Sequence, residues 1–225
     1  MTGTPTLDAV AALAAGEGLA VLGAFHPMPE DAAPEGCGTL LLLGPDEPGF
    51  WPRFRASPEA DDGGADPLDR WSRRVVGGLA EALGAGAVFP FGGPRWRPFI
   101  AWALRSGWAW VSPVGLLVHE TAGMFVSYRG ALAFAGRLDL PEAGQRPCDT
   151  CAAPCLAACP VGALTGAGYD LAACHGFLDT VTGGDCTERG CAVRRACPVG
   201  QERRLPAQSA FHMADFHGKE SACDG

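Results

Sequence analysis

The sequence predicts an α+β fold in two parts: an α/β-like N-terminal layer domain, then a small cysteine-rich domain. Three observations carry this expectation. Residues 1–147 alternate runs of helical and strand-like periodicity, the pattern of a layered helix-and-sheet core. The same stretch contains a single cysteine, Cys37, whereas eight of the ten cysteines fall between positions 148 and 197. Residues 141–147, bounded by prolines, read as a linker between the parts. The expected domains are therefore 1–146, 147–205 and a tail over 206–225.

Element by element, residues 7–15 have helical spacing, and 19–25 read as a strand ended by His26-Pro27. Residues 39–43 are a continuous apolar run between glycines, which suits a buried strand. Residues 50–64, rich in Pro, Gly and Asp, read as a loop. Asp66-Pro67 then opens a helix, with Asp at the N-cap and Pro in the first turn. Leu68, Trp71, Val75, Leu79 and Leu83 line its apolar face, and Gly84-Ala85-Gly86 stops it. A short strand over 87–91 and a helix over 97–105 follow. Residues 115–119 and 124–128 are expected to pair antiparallel around a turn at Thr121-Ala122-Gly123. The polar tail is expected to hold a short helix over 208–216.

Composition narrows the function classes. A net charge of −8 does not attract phosphate backbones, so nucleic acid is not an expected partner. The first 25 residues have no basic n-region, and no window reaches 18 uninterrupted apolar residues. The expectation is a cytoplasmic protein that does not enter the membrane. In that setting ten cysteines argue for metal ligation over disulfides.

The cysteines have a pattern. Ala-Cys-Pro-Val-Gly occurs at 158–162 and again at 196–200, each time closing a cysteine run. The first run is Cys148-x2-Cys151-x3-Cys155-x3-Cys159-Pro160; the second is Cys174, Cys186, Cys191 and Cys197-Pro198. Eight thiolates match two [4Fe–4S] clusters. In two-cluster ferredoxins the cysteine before proline ligates the cluster of the other run. By that exchange Cys148, Cys151, Cys155 and Cys197 form one ligand set, and Cys159, Cys174, Cys186 and Cys191 the other. The cysteine-rich part is thus expected to be a ferredoxin-like dicluster domain, with Cys37 and Cys223 left over. Four thiolates also suit structural zinc, so a zinc-stabilised interaction module is an alternative.

With these motifs on view, the chain resembles the epoxyqueuosine reductase family of cobalamin-dependent iron–sulfur reductases. The likeness lies in the cysteine runs, in Asp170-Leu-Ala-Ala-Cys174, and in Leu116-Leu117-Val118 followed by Ala122-Gly123. It implies cobalamin in the N-terminal domain beside the two clusters, Cys174 as a ligand of the second cluster, and oxidoreductase activity. The chain departs from that family where its proton-donating aspartate is expected, having Val88-Phe89-Pro90-Phe91-Gly92-Gly93-Pro94 there. Ser112-Pro113 replaces its Gly-Lys pair, and its C-terminal tRNA-holding repeats have no counterpart. The reading that follows is an iron–sulfur protein passing single electrons, with a corrinoid-dependent reductase as the alternative and no catalytic residue assigned. A ferredoxin- or flavodoxin-type redox partner is expected.

Other residues were weighed for chemistry. His119 beside Glu120 suits an acid, base or ligand, yet more simply a strand-end histidine bonded to backbone. Trp96, Trp102, Trp108 and Trp110 suit either a flat cofactor site or plain core, and Tyr128-Arg129 is a weaker candidate. Arg189, Arg194, Arg195, Arg203 and Arg204 suit a solvated face, a counter-charge for a cluster, or a dock for an acidic partner.

Overall fold

The computed structural model describes residues 5–93, 96–201 and 204–220, the side chains of 219 and 220 excepted. It divides into two compact units that interleave in sequence. Met1–Ala109 with Val126–Gln145 form one, and Trp110–Phe125 with Arg146–Gly225 form the other. The sequence expectation of a single crossing near residue 146 differs from this: the segment 110–125 leaves the first unit and returns.

In the first unit, α1 (Leu7–Gly16) starts at Thr6, whose Oγ1 accepts from the Ala9 amide at 3.2 Å. It is followed by β1 (Leu19–Phe25), β2 (Thr39–Pro45), α2 (Phe50–Arg55), α3 (Pro58–Asp61), α4 (Pro67–Leu83), β3 (Gly86–Val88) and α5 (Phe99–Arg105). Two short strands, β4 (Ala109–Val111) and β5 (Leu117–His119), precede β6 (Gly130–Phe134). The main sheet has the order β1-β2-β6-β3, and every pairing is antiparallel. Residue Leu43 faces Gly130 and Thr39 faces Phe134 across β2 and β6. Every residue of β2 is buried, as a continuous apolar run requires at the centre of a covered sheet. Mixed helix and antiparallel sheet make this an α+β chain.

Two expectations are corrected here. Residues 50–64 are not a loop: α2 and α3 occupy them, because Pro52 and Pro58 sit in first turns, where the missing N–H costs nothing. Phe50, Trp51 and Phe54 are buried there, and Phe50 meets Trp71 edge-on with centroids 5.3 Å apart. The partner of residues 115–119 is also different. β5 pairs with β4, and the strand that completes the main sheet is β6. Gly130 lets α4 approach that strand, since a Cβ there would lie 3.0 Å from Val76.

The second unit contains the β4–β5 hairpin, a short hairpin of β7 (Leu164–Thr165) and β8 (Gly168–Tyr169), and four helices. These are α6 (Leu171–Leu178), α7 (Gly184–Arg189), α8 (Ala192–Arg195) and α9 (Pro206–Glu220). What was read as a polar tail is largely α9, which packs on α7. Among the described residues no helix is long and apolar enough to cross a membrane.

Candidate metal centres

The core of the second unit is small and rich in thiols. Val114, Val118, Met124, Leu164 and Val193 are buried together with Cys155 and Cys197, and Cys148, Cys159 and Cys191 pack against them. Nine cysteines are described, all as free thiols; Cys223 lies outside the described residues. Cys37 belongs to the first unit, where its thiol donates to the Thr39 carbonyl at 3.2 Å and burial raises its pKa.

Eight thiols remain, and their mutual electrostatics sort them. The Cys148 thiol is pushed up in pKa by burial and by the neighbouring charges of Cys151, Cys197 and Cys155, with Arg146 opposing. Burial likewise raises Cys155, and Cys197 and Cys151 add to it. In a second group burial raises Cys174, with Cys191, Cys159 and Cys186 as its thiol neighbours. Cys186 is raised by burial and again senses Cys191. Cys148 and Cys155 thus each sense Cys151 and Cys197, and Cys174 senses Cys159, Cys186 and Cys191. Cys197 and Cys159, the two cysteines before proline, are each sensed by thiols of the other run.

Local chain geometry explains how each thiol is presented. Cys148 and Cys155 sit on single 3-10 turns that begin with Pro147 and Pro154. Cys151 Sγ accepts from the Ala153 amide at 3.4 Å, and Cys159 Sγ from the Ala163 amide at 3.2 Å. Asp170 caps α6 by accepting from the Ala173 amide at 2.9 Å, which fixes the helix carrying Cys174. Tyr169 donates its O–H to Cys174 Sγ at 3.2 Å. Cys186 lies in α7, and Cys191 is the residue before α8.

Cys197 is held by a close backbone contact. Gly123 has φ +56°, and a Cβ on it would run into the Val199 carbonyl and lie 3.4 Å from Cys197 Sγ. From the other side Gly200, at φ +72°, would place a Cβ 2.8 Å from the Ala122 backbone. The Thr121–Gly123 turn is in turn held by His119, which is 2% exposed. Its Nδ1 accepts from the Thr121 and Ala122 amides at 3.1 and 3.2 Å. His119 is therefore bonded to backbone at the end of a strand.

Among the described residues no three His, Cys, Asp or Glu side chains converge tightly enough for a single ion. Tetrahedral zinc, with Zn–S of about 2.3 Å, would draw four sulfurs to roughly 3.8 Å from one another. The thiols here sense each other's charge without closing on a point. Amide and hydroxyl hydrogens aimed at sulfur stabilise thiolate charge.

The remaining candidates disperse. Trp102 is fully buried, meets Phe99 at a tilt with ring centroids 5.0 Å apart and donates to the Asp31 carbonyl, whereas Trp96 is 71% exposed. Trp110 packs on the thiol-rich core of the second unit. Tyr128 is buried, donating at 3.3 Å to the Leu22 carbonyl, and Arg129 lies 3.8 Å from Asp69. Arg189 pairs with Asp185 at 3.0 Å, Arg195 with the same carboxylate and the Gly190 carbonyl. Arg204 donates to the Phe125 carbonyl at 2.7 Å and lies over the Phe125 ring. Arg194 donates to the Met124 carbonyl, and Arg203 lies outside the described residues.

Sequence reasoning missed the layer that α9 adds beside the second thiol group. His217 bonds Asp179 at 2.9 Å through Nε2 and His175, next to Cys174, at 2.8 Å through Nδ1. Phe216 lies flat against Tyr169, and Ser209 sits where a Cβ on Gly190 would come within 2.8 Å. No periodicity marks these contacts, since α9 meets residues some forty positions away. Comparison with known proteins finds no matching family model, no matching curated protein and no matching solved structure.

Proposed function

We propose that this chain is an iron–sulfur protein that passes single electrons through two [4Fe–4S] centres in its second unit. The observation that supports the reading is that Cys148 and Cys155 sense Cys197 from the other run, while Cys174 senses Cys159. Bound there, the two clusters would supply reversible one-electron chemistry. The chain's part is to hold and tune them. Cys148, Cys151, Cys155 and Cys197 would ligate one, on turns that expose amides to sulfur. Cys159, Cys174, Cys186 and Cys191 would ligate the other, on and between short helices.

A one-electron protein partner of ferredoxin or flavodoxin type fits the surface beside the first run. Leu156 and Val161, next to Cys155 and to the Cys159-Pro160 step, are 49% and 46% exposed. The described arginines are less suited to docking, since most are engaged inside the unit. Trp102 is spent in the core of the first unit, so electron transfer is preferred to a corrinoid site.

Anaerobic reconstitution should give about eight iron and eight sulfide per chain, with broad absorption near ~400 nm. Cys197→Ser and Cys159→Ser should each lose about half the iron, and from different centres. Stoichiometric zinc without that absorption would replace this proposal with a zinc module. Loss of the same centre in both variants would replace exchanged ligation with sequential ligation.

A further inference from the structure

Arg194 differs from its neighbours. No described carboxylate pairs with it. Part of its side chain reaches the surface, while its guanidinium lies within protein, donates to the Met124 carbonyl, and is disfavoured by burial. The groups that answer it are the Cys191 thiol, on the residue that opens α8, and the Tyr169 phenol. A buried cation without a carboxylate is costly unless another negative charge answers it. Here the available answer is the second thiol group, which Tyr169 also touches through its hydrogen bond to Cys174.

Arg194 meets the first group through its backbone, where its carbonyl accepts from the Cys197 amide at 3.2 Å, but among the described residues no side chain donates to a sulfur there. That group's sulfur contacts come from backbone amides, at Cys151 and around Cys155. Arg146, the cation near Cys148, is already bound to Asp149 at 3.2 Å. Adding one electron to a centre adds one negative charge. A fixed guanidinium and an O–H donated to a ligand sulfur stabilise that charge and raise the potential.

We propose that Arg194 and Tyr169 poise the Cys159/Cys174/Cys186/Cys191 centre at the higher reduction potential of the two. An electron from a low-potential one-electron donor, entering at the Cys148/Cys151/Cys155/Cys197 centre, then comes to rest at the second. No bond is made or broken, and one electron is lost by the donor for each one gained. The inference rests on the dicluster reading.

The test is an EPR-monitored redox titration of the iron-loaded full chain and of Arg194→Gln, Arg194→Lys and Tyr169→Phe. Cys174→Ser identifies which signal belongs to the second centre. In wild type the second centre should accept its electron first. Arg194→Gln should lower that midpoint enough to shift the electron's partition at least tenfold, about 59 mV for a one-electron couple. Arg194→Lys should restore most of it, Tyr169→Phe should lower it less, and the first centre should not move. Equal shifts in both centres, unmoved midpoints at full iron loading, or a higher first centre in wild type would overturn the proposal. Should Arg194→Gln fail to hold iron, Tyr169→Phe decides alone, and an unmoved second midpoint there is a refutation. Wild type without iron would instead remove the dicluster reading, and this inference with it.

Discussion

In the first unit Arg70 and Arg74 reach from α4 to Asp62 and Glu59, at 2.6 Å in each case. In the second, no described carboxylate pairs with Arg194, which donates instead to the Met124 carbonyl. The cores differ in the same way. Trp71 closes on Phe50 and Phe54 in the first unit, and four consecutive leucines of β2 are fully buried. The second unit has a handful of aliphatic side chains, and cysteines fill the positions between them. A sheet with that much apolar surface closes on itself, since burying it is the dominant favourable term. Thiols give far less, so the second unit is the one whose stability a bound metal would change most.

The sharpest way to break this comparison is to remove the metal. Chelation of the reconstituted full chain should abolish amide-exchange protection over 110–125 and 146–220, while β2 and β6 keep theirs. The loss should be on the order of 10 kcal/mol, the scale on which structural metal sites sustain small domains. Equal loss of protection in both units would mean that the first unit is not self-sufficient. Unchanged protection in the second would mean that its small core suffices without metal.

A smaller effect separates the units through their glycines. Gly123→Ala forces a positive φ on a residue with a Cβ and drives it into the Val199 carbonyl. The expected cost is about 3 kcal/mol, with loss of iron from the centre that uses Cys197. Gly86→Ala in β3 meets only ordinary contacts, the nearest at 3.7 Å, so it should change stability by less than about 0.5 kcal/mol. Thermal unfolding with iron counts for both variants checks this. A Gly123→Ala protein with a wild-type melting point and full iron would show that Cys197 needs no such close seat.

The parts of the fold that were legible in the sequence rest on local physics. The face Leu68, Trp71, Val75 and Leu79 is buried in α4 as its spacing predicts, and Pro67 sits in the first turn. The strand over 39–43 appears in β2, two residues longer. β6 was missed because Gly-Ala-Leu-Ala-Phe has weak strand propensity and, being buried on most positions, shows no alternation. Prolines 52 and 58 suggested a loop, although both suit a helix's first turn. At the candidate site the first cysteine run was legible because its members are sequence neighbours. Membership of 110–125 in the same unit, Tyr169 on Cys174, and α9 against α6 and α7 were not. They are contacts between distant positions, which no short window encodes.

The smallest expected effect tests the other half of the opening contrast, that arginines of the first unit are answered at the surface. The Arg74 hydrogen bond holds the Glu59 carboxyl down at about 2, with burial opposing. A carboxyl depressed on folding contributes stability that is present above its unfolded pKa, about 4.3. That contribution disappears as pH falls through the folded value. Arg74 is 54% exposed, so solvent screens the pair and its worth is about 0.5 kcal/mol. Glu59→Gln should therefore lower stability by about that amount at pH 6, and the gap to wild type should narrow steadily from pH 5 towards 2. High salt at pH 6 should narrow it as well, because the Debye length falls to about 3 Å at 1 M. The readout is the difference in melting temperature between the two proteins, taken at each pH and salt concentration. A difference constant in pH and salt would show that Glu59 acts by packing under α4 and that the pair with Arg74 is incidental.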